Sequence, residues 1–510
     1  MHPTERFDLL IRNARIARPH GMDLEPGDIA VVGGKIAKVG RDLPGEAADI
    51  VDAGGLVAFP GLVDPHMHTG IYSPLAEDAV TESRAAAQGG VTTSLNYFRS
   101  GRYYLNKGGR YDELFPEVLR TSSGRFHVDY AYHLAPLDSR QIAEIPLLID
   151  KYGVTSFKIF MFYGGYGLHG ASNRQHEFLM IDSEEKYDYA HFEFVMRAIK
   201  DAMARFPDRR DSISLSLHCE TAEIMNAYTK LVQAEGKLRG LRAYSAARPP
   251  HSEGLAICIA SYLAYETECV NINLLHLSSR KALDAALKMA NTFPAINFRR
   301  EVTIGHLILD YDSPAGPRAK VNPPIRSRED VDCLWDALLA GKIDWVCSDH
   351  ACCREELKLD TGRKDEIFLA KSGFGGTEYL LSALVSEGRK RGLTFNKVAQ
   401  LVCWNPAQRF GLGGKGDISP GFDADIVLFD PNRRFTIRAV ESESSQGYTP
   451  FEGIELSGKV TSTFLRGRLI YAKDRIVGEP AGQYLRRPYQ LQGPKAPGAA
   501  TVTPPASASR

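Results

Sequence analysis

The stretch FPGLVDPHMHTG, residues 59–70, sets His66 and His68 one residue apart directly after an apolar run. On an extended strand alternate side chains share a face, so the two imidazoles are directed at one spot. A pair of loop histidines would carry the same sequence, and the pair alone leaves both readings open. Further along, Lys158 interrupts the apolar run TSFKIFMFY, His218 stands in LSLHCE, His276 in NLLHLSS and Asp349 in WVCSDH. Singly, each has an ordinary explanation. A lysine can snorkel to solvent, a histidine can be hydrogen-bonded within a core, and an aspartate can cap the turn that follows. Those explanations are independent of one another, whereas a metal centre accounts for all six positions together. Four imidazoles, a carboxylate and a lysine suit a pair of divalent ions of the zinc type.

The lysine is the informative member. An ammonium repels a cation and cannot ligate it. Burial depresses lysine pKa and favours the neutral amine. That amine can add carbon dioxide to give a carbamate (N6-carboxylysine), whose two oxygens can bridge two metals.

Such residues need elements that bring them together. Strand-like runs lie at 61–67, 92–97, 129–135, 154–161, 213–219, 271–277, 303–309 and 343–349, and helix-like stretches such as ESRAAAQGG, HFEFVMRAIKDAMARF and KALDAALKMA fall between them. Eight strands, each followed by a helical segment, over roughly 300 residues is the arithmetic of a (β/α)8 TIM barrel. In that architecture chemistry sits at the C-terminal strand ends, where the six residues fall. A doubly wound open sheet competes, but the Gly-rich phosphate turn usual after its first strand is missing. Short strands with turns fill 7–58 and return at 416–472, so both termini are expected to build one small β-sandwich around the inserted barrel. The expected division is 1–58 and 415–480 for the sandwich, 59–414 for the catalytic barrel, and 481–510 for a C-terminal extension. The end of that extension, rich in Pro, Ala, Ser and Thr, is expected to be disordered.

Bulk properties narrow the class. Of 510 residues, 44% are hydrophobic and 24% charged, and 62 basic side chains balance 62 acidic ones. Nothing favours a nucleic-acid or membrane partner. No apolar run has the length of a membrane span, and MHPTERFDLL has no signal-peptide pattern. The eight cysteines form no CxxC pair, so a reducing cytoplasmic setting is expected.

GGKIAKVG, GLVDPHMH, AAAQGGVTT, SFKIFMFY, LHCE, HLSS, NPPIR, SDHA, GDISPGFDADIV and YTPFEGIELSGKV occur here in one order over residues 7 to about 487. In this combination the chain resembles the amidohydrolase superfamily, and within it the hydantoinase/dihydropyrimidinase group of cyclic amidases, which includes allantoinase and dihydroorotase. The resemblance implies that His66, His68 and Asp349 bind one metal, that His218 and His276 bind the other, and that carbamylated Lys158 bridges them. It implies two divalent ions per subunit, zinc first, with manganese, cobalt or iron as alternatives. A homotetramer is also implied, and GQYLRRPYQ near 482–490 is placed to reach a neighbouring subunit.

Two metals sharing a hydroxide would supply a nucleophile at neutral pH. Asp349 is the candidate to take its proton and return it to the leaving nitrogen. Tyr163 matches the tyrosine that steadies the tetrahedral oxyanion in similar hydantoinases, although by itself it reads as a barrel-rim aromatic. Substrate positions fall on Asn322, in KVNPPIR, and on Ser372. Dihydroorotases carry an arginine two residues after the paired histidines, where this chain has Gly70, which argues against dihydroorotate. The reading is a hydrolase opening a cyclic amide, whether hydantoin, dihydropyrimidine or cyclic imide. The alternatives are an allantoinase or a hydrolase of another non-peptide amide or ureide. A non-catalytic scaffold related to dihydropyrimidinase ranks last, because such proteins have lost metal ligands. The Arg/Tyr-rich loop 98–111 reads either as a solvated, subunit-contacting surface or as a lid selecting an aromatic or anionic substituent. The glycine-rich stretch 162–178 reads as a second loop able to close over the pocket.

Overall fold

The computed structural model describes residues 6–164 and 175–490. The stretch 165–174, which holds most of the second glycine-rich loop, and the end of the C-terminal extension lie outside the described residues. Eight strands form one parallel sheet, namely β1 (Leu62–Met67), β2 (Val91–Phe98), β3 (Asp129–Leu134), β4 (Ser156–Phe160), β5 (Ser214–His218), β6 (Asn271–Leu274), β7 (Asn297–Thr303) and β8 (Trp345–Cys347). Just beyond β8, a parallel bridge between Met67 and His350 and a 2.8 Å bond from His68 N to His350 O bring the last strand back to the first. The result is the (β/α)8 barrel.

The helices around it are cut by ordinary local rules. In Tyr189–Arg205, Phe192, Val195, Met196, Ile199 and Met203 are buried at the spacing of one helical face, and the Asp188 carboxylate caps the free N–H groups of Ala190 and His191. The seventh strand departs from the sequence reading. The run TIGHLIL at 303–309 is not a strand, since Ile304–Ile308 is helical and β7 is the preceding NFRREVT. Thr303 ends the strand by capping the helix, its hydroxyl accepting from His306 N at 3.1 Å. The polar look of β7 comes from Arg299 and Arg300, which leave the barrel to bind Asp344 at 2.9 and 3.0 Å.

A separate nine-stranded sheet is assembled from both termini. Val57–Pro60 joins its halves, pairing parallel with Arg6–Ile16 and antiparallel with Ile426–Thr436. Ile11, Ile29, Ile36, Ile426 and Phe464 form its apolar core. Buried Lys415 ties sheet to barrel, donating to Asp425 at 2.7 Å and to Asp129 of β3 at 2.6 Å.

Residues 482–490, expected to reach a neighbour, run along this chain's own barrel. Gly482 N donates to Phe126 O, Leu485 N to Tyr130 O and Arg487 N to Gly153 O. A Cβ on Gly482 would fall 1.9 Å from Val128 O, so the approach demands glycine. Arg487 is 2% exposed, its guanidinium donating to Ser156 Oγ at 2.6 Å and Tyr132 O at 2.5 Å. Arg487, in the segment expected at a subunit contact, is drawn into the barrel by those oxygens.

Candidate active site

Strand alternation sets the site. In β4, Ser156, Lys158 and Phe160 share one face, which places Lys158 inside the barrel with 1% exposure. Its ammonium nitrogen lies 3.2 Å from His66 Nε2 and 3.9 Å from the Tyr97 ring centroid. Asp349 Oδ1 lies 3.1 Å from His66 Nε2 and 3.3 Å from His68 Nε2. The rings of His218 and His276 meet at 4.4 Å, and His276 is 5.5 Å from His66. His276 (φ 34°) and Asp349 (φ 54°) both hold the left-handed backbone region. Non-glycine residues adopt it rarely, and it gathers at functional sites. All nine residues singled out in the sequence line the same cleft.

Burial and carboxylates set the electrostatics. Burial pushes His66, His68 and His276 well below the usual imidazole range, and His218 down to about 4. All four are therefore neutral, with a lone pair to give. Burial, opposed by Asp349 and Glu301, brings the Lys158 ammonium down to about 8. Two carboxylates absent from the sequence reading hold the imidazoles from behind. Glu301 Oε1 lies 2.8 Å from His66 Nδ1, and its second oxygen accepts from Trp345 Nε1 at 2.8 Å. Glu220 Oε2 lies 2.6 Å from His218 Nε2 and is paired with buried Arg248. Burial acts to raise Glu220, but Arg248 and His218 overcome it and hold the carboxyl down at about 2. Burial raises Glu301 to about 7.

The remaining expected residues take defined places. Tyr163 is buried, and its phenol oxygen accepts from Arg99 Nε at 3.0 Å. Asn322 Oδ1 accepts from Tyr244 OH at 2.5 Å and Ser372 Oγ at 3.2 Å, while its Nδ2 is buried with no hydrogen-bond partner among the described residues. The amide is thus turned so that a donor is left over. Loop 98–111 divides between its two readings. Arg99 and Tyr104 are buried, with Tyr104 OH 2.9 Å from His68 Nδ1, whereas Arg102, Lys107 and Arg110 are exposed.

The donor set fits two divalent ions. Glu301 and Glu220 each occupy one nitrogen of an imidazole and leave the other to a ligand, the arrangement usual for metal-bound histidine. Among the described residues His276 Nδ1 is buried without a partner, and His66, His68 and Asp349 offer ligand atoms within 4.8 Å of one another. The buried cluster Asp129, Asp423 and Asp425 at the sheet–barrel junction does not compete, because Lys415 fills it.

The family model described as "Amidohydrolase family" matches residues 179–470. The allantoinase of Rubrobacter xylanophilus is 32% identical over 486 residues, covering 94% of this chain and 98% of its own. That of Enterococcus faecalis is 31% identical, with 92% and 97% covered. Among solved structures, a D-hydantoinase superposes with TM-score 0.81 at 28% identity, covering 95% of this chain and 100% of its own. The dihydropyrimidinase of Brevibacillus agri superposes with TM-score 0.80 at 26% identity over 95% of this chain and 99% of its own. With a family model over more than half its length, and relatives aligned nearly end to end, the chain belongs to the amidohydrolase family.

Proposed function

We propose that this protein is a metal-dependent hydrolase that opens a cyclic amide or ureide ring. The observation that carries the reading is the buried Lys158, beside His66 and lowered to about 8, among neutral imidazoles and Asp349. Its neutral Nζ attacks carbon dioxide, forming an N–C bond and releasing one proton, and the resulting carbamate gives two oxygens to the centre. His66, His68 and Asp349 would hold one ion and His218 and His276 the other, with carboxylated Lys158 shared. When bound, the ions, zinc first, supply an activated water and polarise the scissile carbonyl.

The chain's own groups do the rest. Asp349 takes the water's proton on a carboxylate oxygen and passes it to the leaving ring nitrogen. Tyr163 donates its O–H to the carbonyl oxygen as that oxygen gains charge. Asn322 Nδ2 donates to a second carbonyl of the ring, and the walls of Ile71, Tyr72, Tyr104, Phe160 and Phe162 exclude water and favour an apolar or aromatic substituent.

Allantoin is the second candidate ring, favoured by the allantoinase relatives. A turnover screen over hydantoins, dihydropyrimidines, cyclic imides and allantoin, with metal analysis on the same sample, tests the proposal. Hydrolysis of one ring class with close to two ions per chain is expected, and a protein that turns over none of them while holding two ions overturns it. A homotetramer in a reducing cytoplasm completes the reading. Exposed Phe194, Tyr262 and Tyr265, on the adjoining helices Tyr189–Arg205 and Pro250–Glu266, support assembly, and eight free thiols support the compartment.

A further inference from the structure

Arg99 follows directly on β2 and is 1% exposed. Its Nε donates to Tyr163 OH at 3.0 Å, and its Nη1 donates to the carbonyls of Ser100 and Arg102, both at 2.9 Å. The guanidinium lies over the Phe178 ring, 4.7 Å from its centroid, and Nη2 is buried with no partner among the described residues. Among the described residues its hydrogen-bond acceptors are thus one phenol and two carbonyls, none of them anionic. Keeping a guanidinium buried without an anion is unfavourable, and a neutral side chain could tether the loop as well. A phenol oxygen that accepts from Arg99 retains its own O–H, which points away from the arginine. Tyr163 also lines the cleft.

We infer that Arg99 is the positioning residue for Tyr163, fixing the phenol so that its O–H is presented to the substrate oxygen that gains charge. The positive charge behind the phenol polarises it and strengthens that donor in a dry site, where such effects are large. Arg99 never touches substrate; it acts through Tyr163. The inference rests on the ring-opening reading, in which Tyr163 meets the developing oxyanion.

Two measurements test it on the full-length protein. The first is a double-mutant cycle with Arg99→Met and Tyr163→Phe, run metal-loaded on the best ring of the substrate screen. Tyr163→Phe should lower kcat by ~10²–10³-fold, as for loss of one oxyanion donor. Arg99→Met should lower kcat by ~10–100-fold with KM within about threefold, and add less than about twofold once Tyr163 is Phe. Arg99→Lys, which keeps the charge but not the planar donor, should restore part of the rate and covers the case in which the methionine variant folds poorly. The second measurement needs neither metal nor substrate. Fluorotyrosine placed at position 163 should change its fluorine resonance on Arg99→Met, while fluorotyrosine at the distant Tyr471 should not. An unmoved resonance at 163, or an Arg99→Met loss that is unchanged in the Tyr163→Phe background, overturns the inference and leaves the ring-opening reading standing. Near-parental turnover of Tyr163→Phe overturns both the oxyanion role and the inference. Absence of any ring hydrolysis overturns the reading and with it the oxyanion purpose, and the fluorine arm still decides whether Arg99 positions Tyr163.

Discussion

His66 Nδ1 lies 2.8 Å from Glu301 Oε1, so the first imidazole of β1 is braced by a carboxylate on β7, two strands away around the barrel. The same carboxylate accepts from His276 N at 3.1 Å, tying two candidate ligands to one group. Partners of this kind orient imidazoles and raise their basicity, and losing one typically weakens metal binding ~10–100-fold. Glu301→Gln and, on His218, Glu220→Gln should each weaken metal retention by that order while leaving the ligand set intact. Competition with a chelator reads this directly. Parental affinity in both variants would reduce the carboxylates to packing.

Glu301 also shows where the sequence stops being legible. Strands β1, β4, β5, β6 and β8 stand out because each is a largely apolar run that carries a lone histidine, lysine or aspartate within it or at its end, both faces of a barrel strand being covered. In β7 the arginines that reach Asp344 break that pattern, and the next apolar run, TIGHLIL, imitates a strand although it is a capped helical turn. Placing the strand at 303–309 leaves Glu301 outside the barrel and hides its contact with His66. Arg99 and Arg487 are opaque for a related reason. What buries them is Tyr163 in one case and Ser156 with Tyr132 in the other, oxygens distant in sequence. The metal-ligand candidates were readable because strand ends converge by topology, whereas the groups that hold them converge only by packing.

Asn322 offers a test of ring recognition. Tyr244 and Ser372 occupy its carbonyl oxygen and leave Nδ2 as a buried donor without a partner among the described residues. Asn322→Asp keeps the shape and the two accepted bonds but replaces the donor by a negative charge facing a substrate carbonyl. Losing a site donor of this kind is worth ~1–3 kcal/mol, so kcat/KM should fall by roughly 10–100-fold, carried mainly by KM. Unchanged steady-state constants would place the ring elsewhere in the cleft.

The proposed carboxylation of Lys158 would carry a pH signature. Burial, with Asp349 and Glu301 opposing, brings its ammonium down to about 8. A depressed lysine pKa means that the neutral amine grows as pH rises through that value, and only the amine adds carbon dioxide. Metal-free protein given zinc at fixed dissolved carbon dioxide should regain activity at a rate that rises up to about tenfold per pH unit below 8 and levels above it. Stopped aliquots assayed for turnover follow the course. A reactivation rate that is flat or falling from about pH 6 to 9 excludes the amine as the reacting group.

The segment along the barrel floor separates stability from assembly. Ending the chain after Ala481 removes the backbone bonds of Gly482, Leu485 and Arg487 and the guanidinium that meets Ser156 and Tyr132. At ~0.5–1.5 kcal/mol for each of these five bonds, the loss amounts to roughly 2.5–7.5 kcal/mol, visible as a lowered Tm. Trimming only from residue 495 should leave Tm unchanged. Equal melting of the two truncations would show that the segment's contacts with the barrel contribute nothing.

The central claim is that Lys158, once carboxylated, joins two metal ions into one hydrolytic centre. Lys158→Ala, in which only that group is lost, tests it most directly when bound metal and ring hydrolysis are measured on one sample with and without a short carboxylate such as propionate. The account predicts a folded protein that has lost tightly bound metal and turnover, and that regains part of both when propionate supplies the missing oxygens. A Lys158→Ala protein that holds two ions tightly and turns over at the parental rate would contradict it.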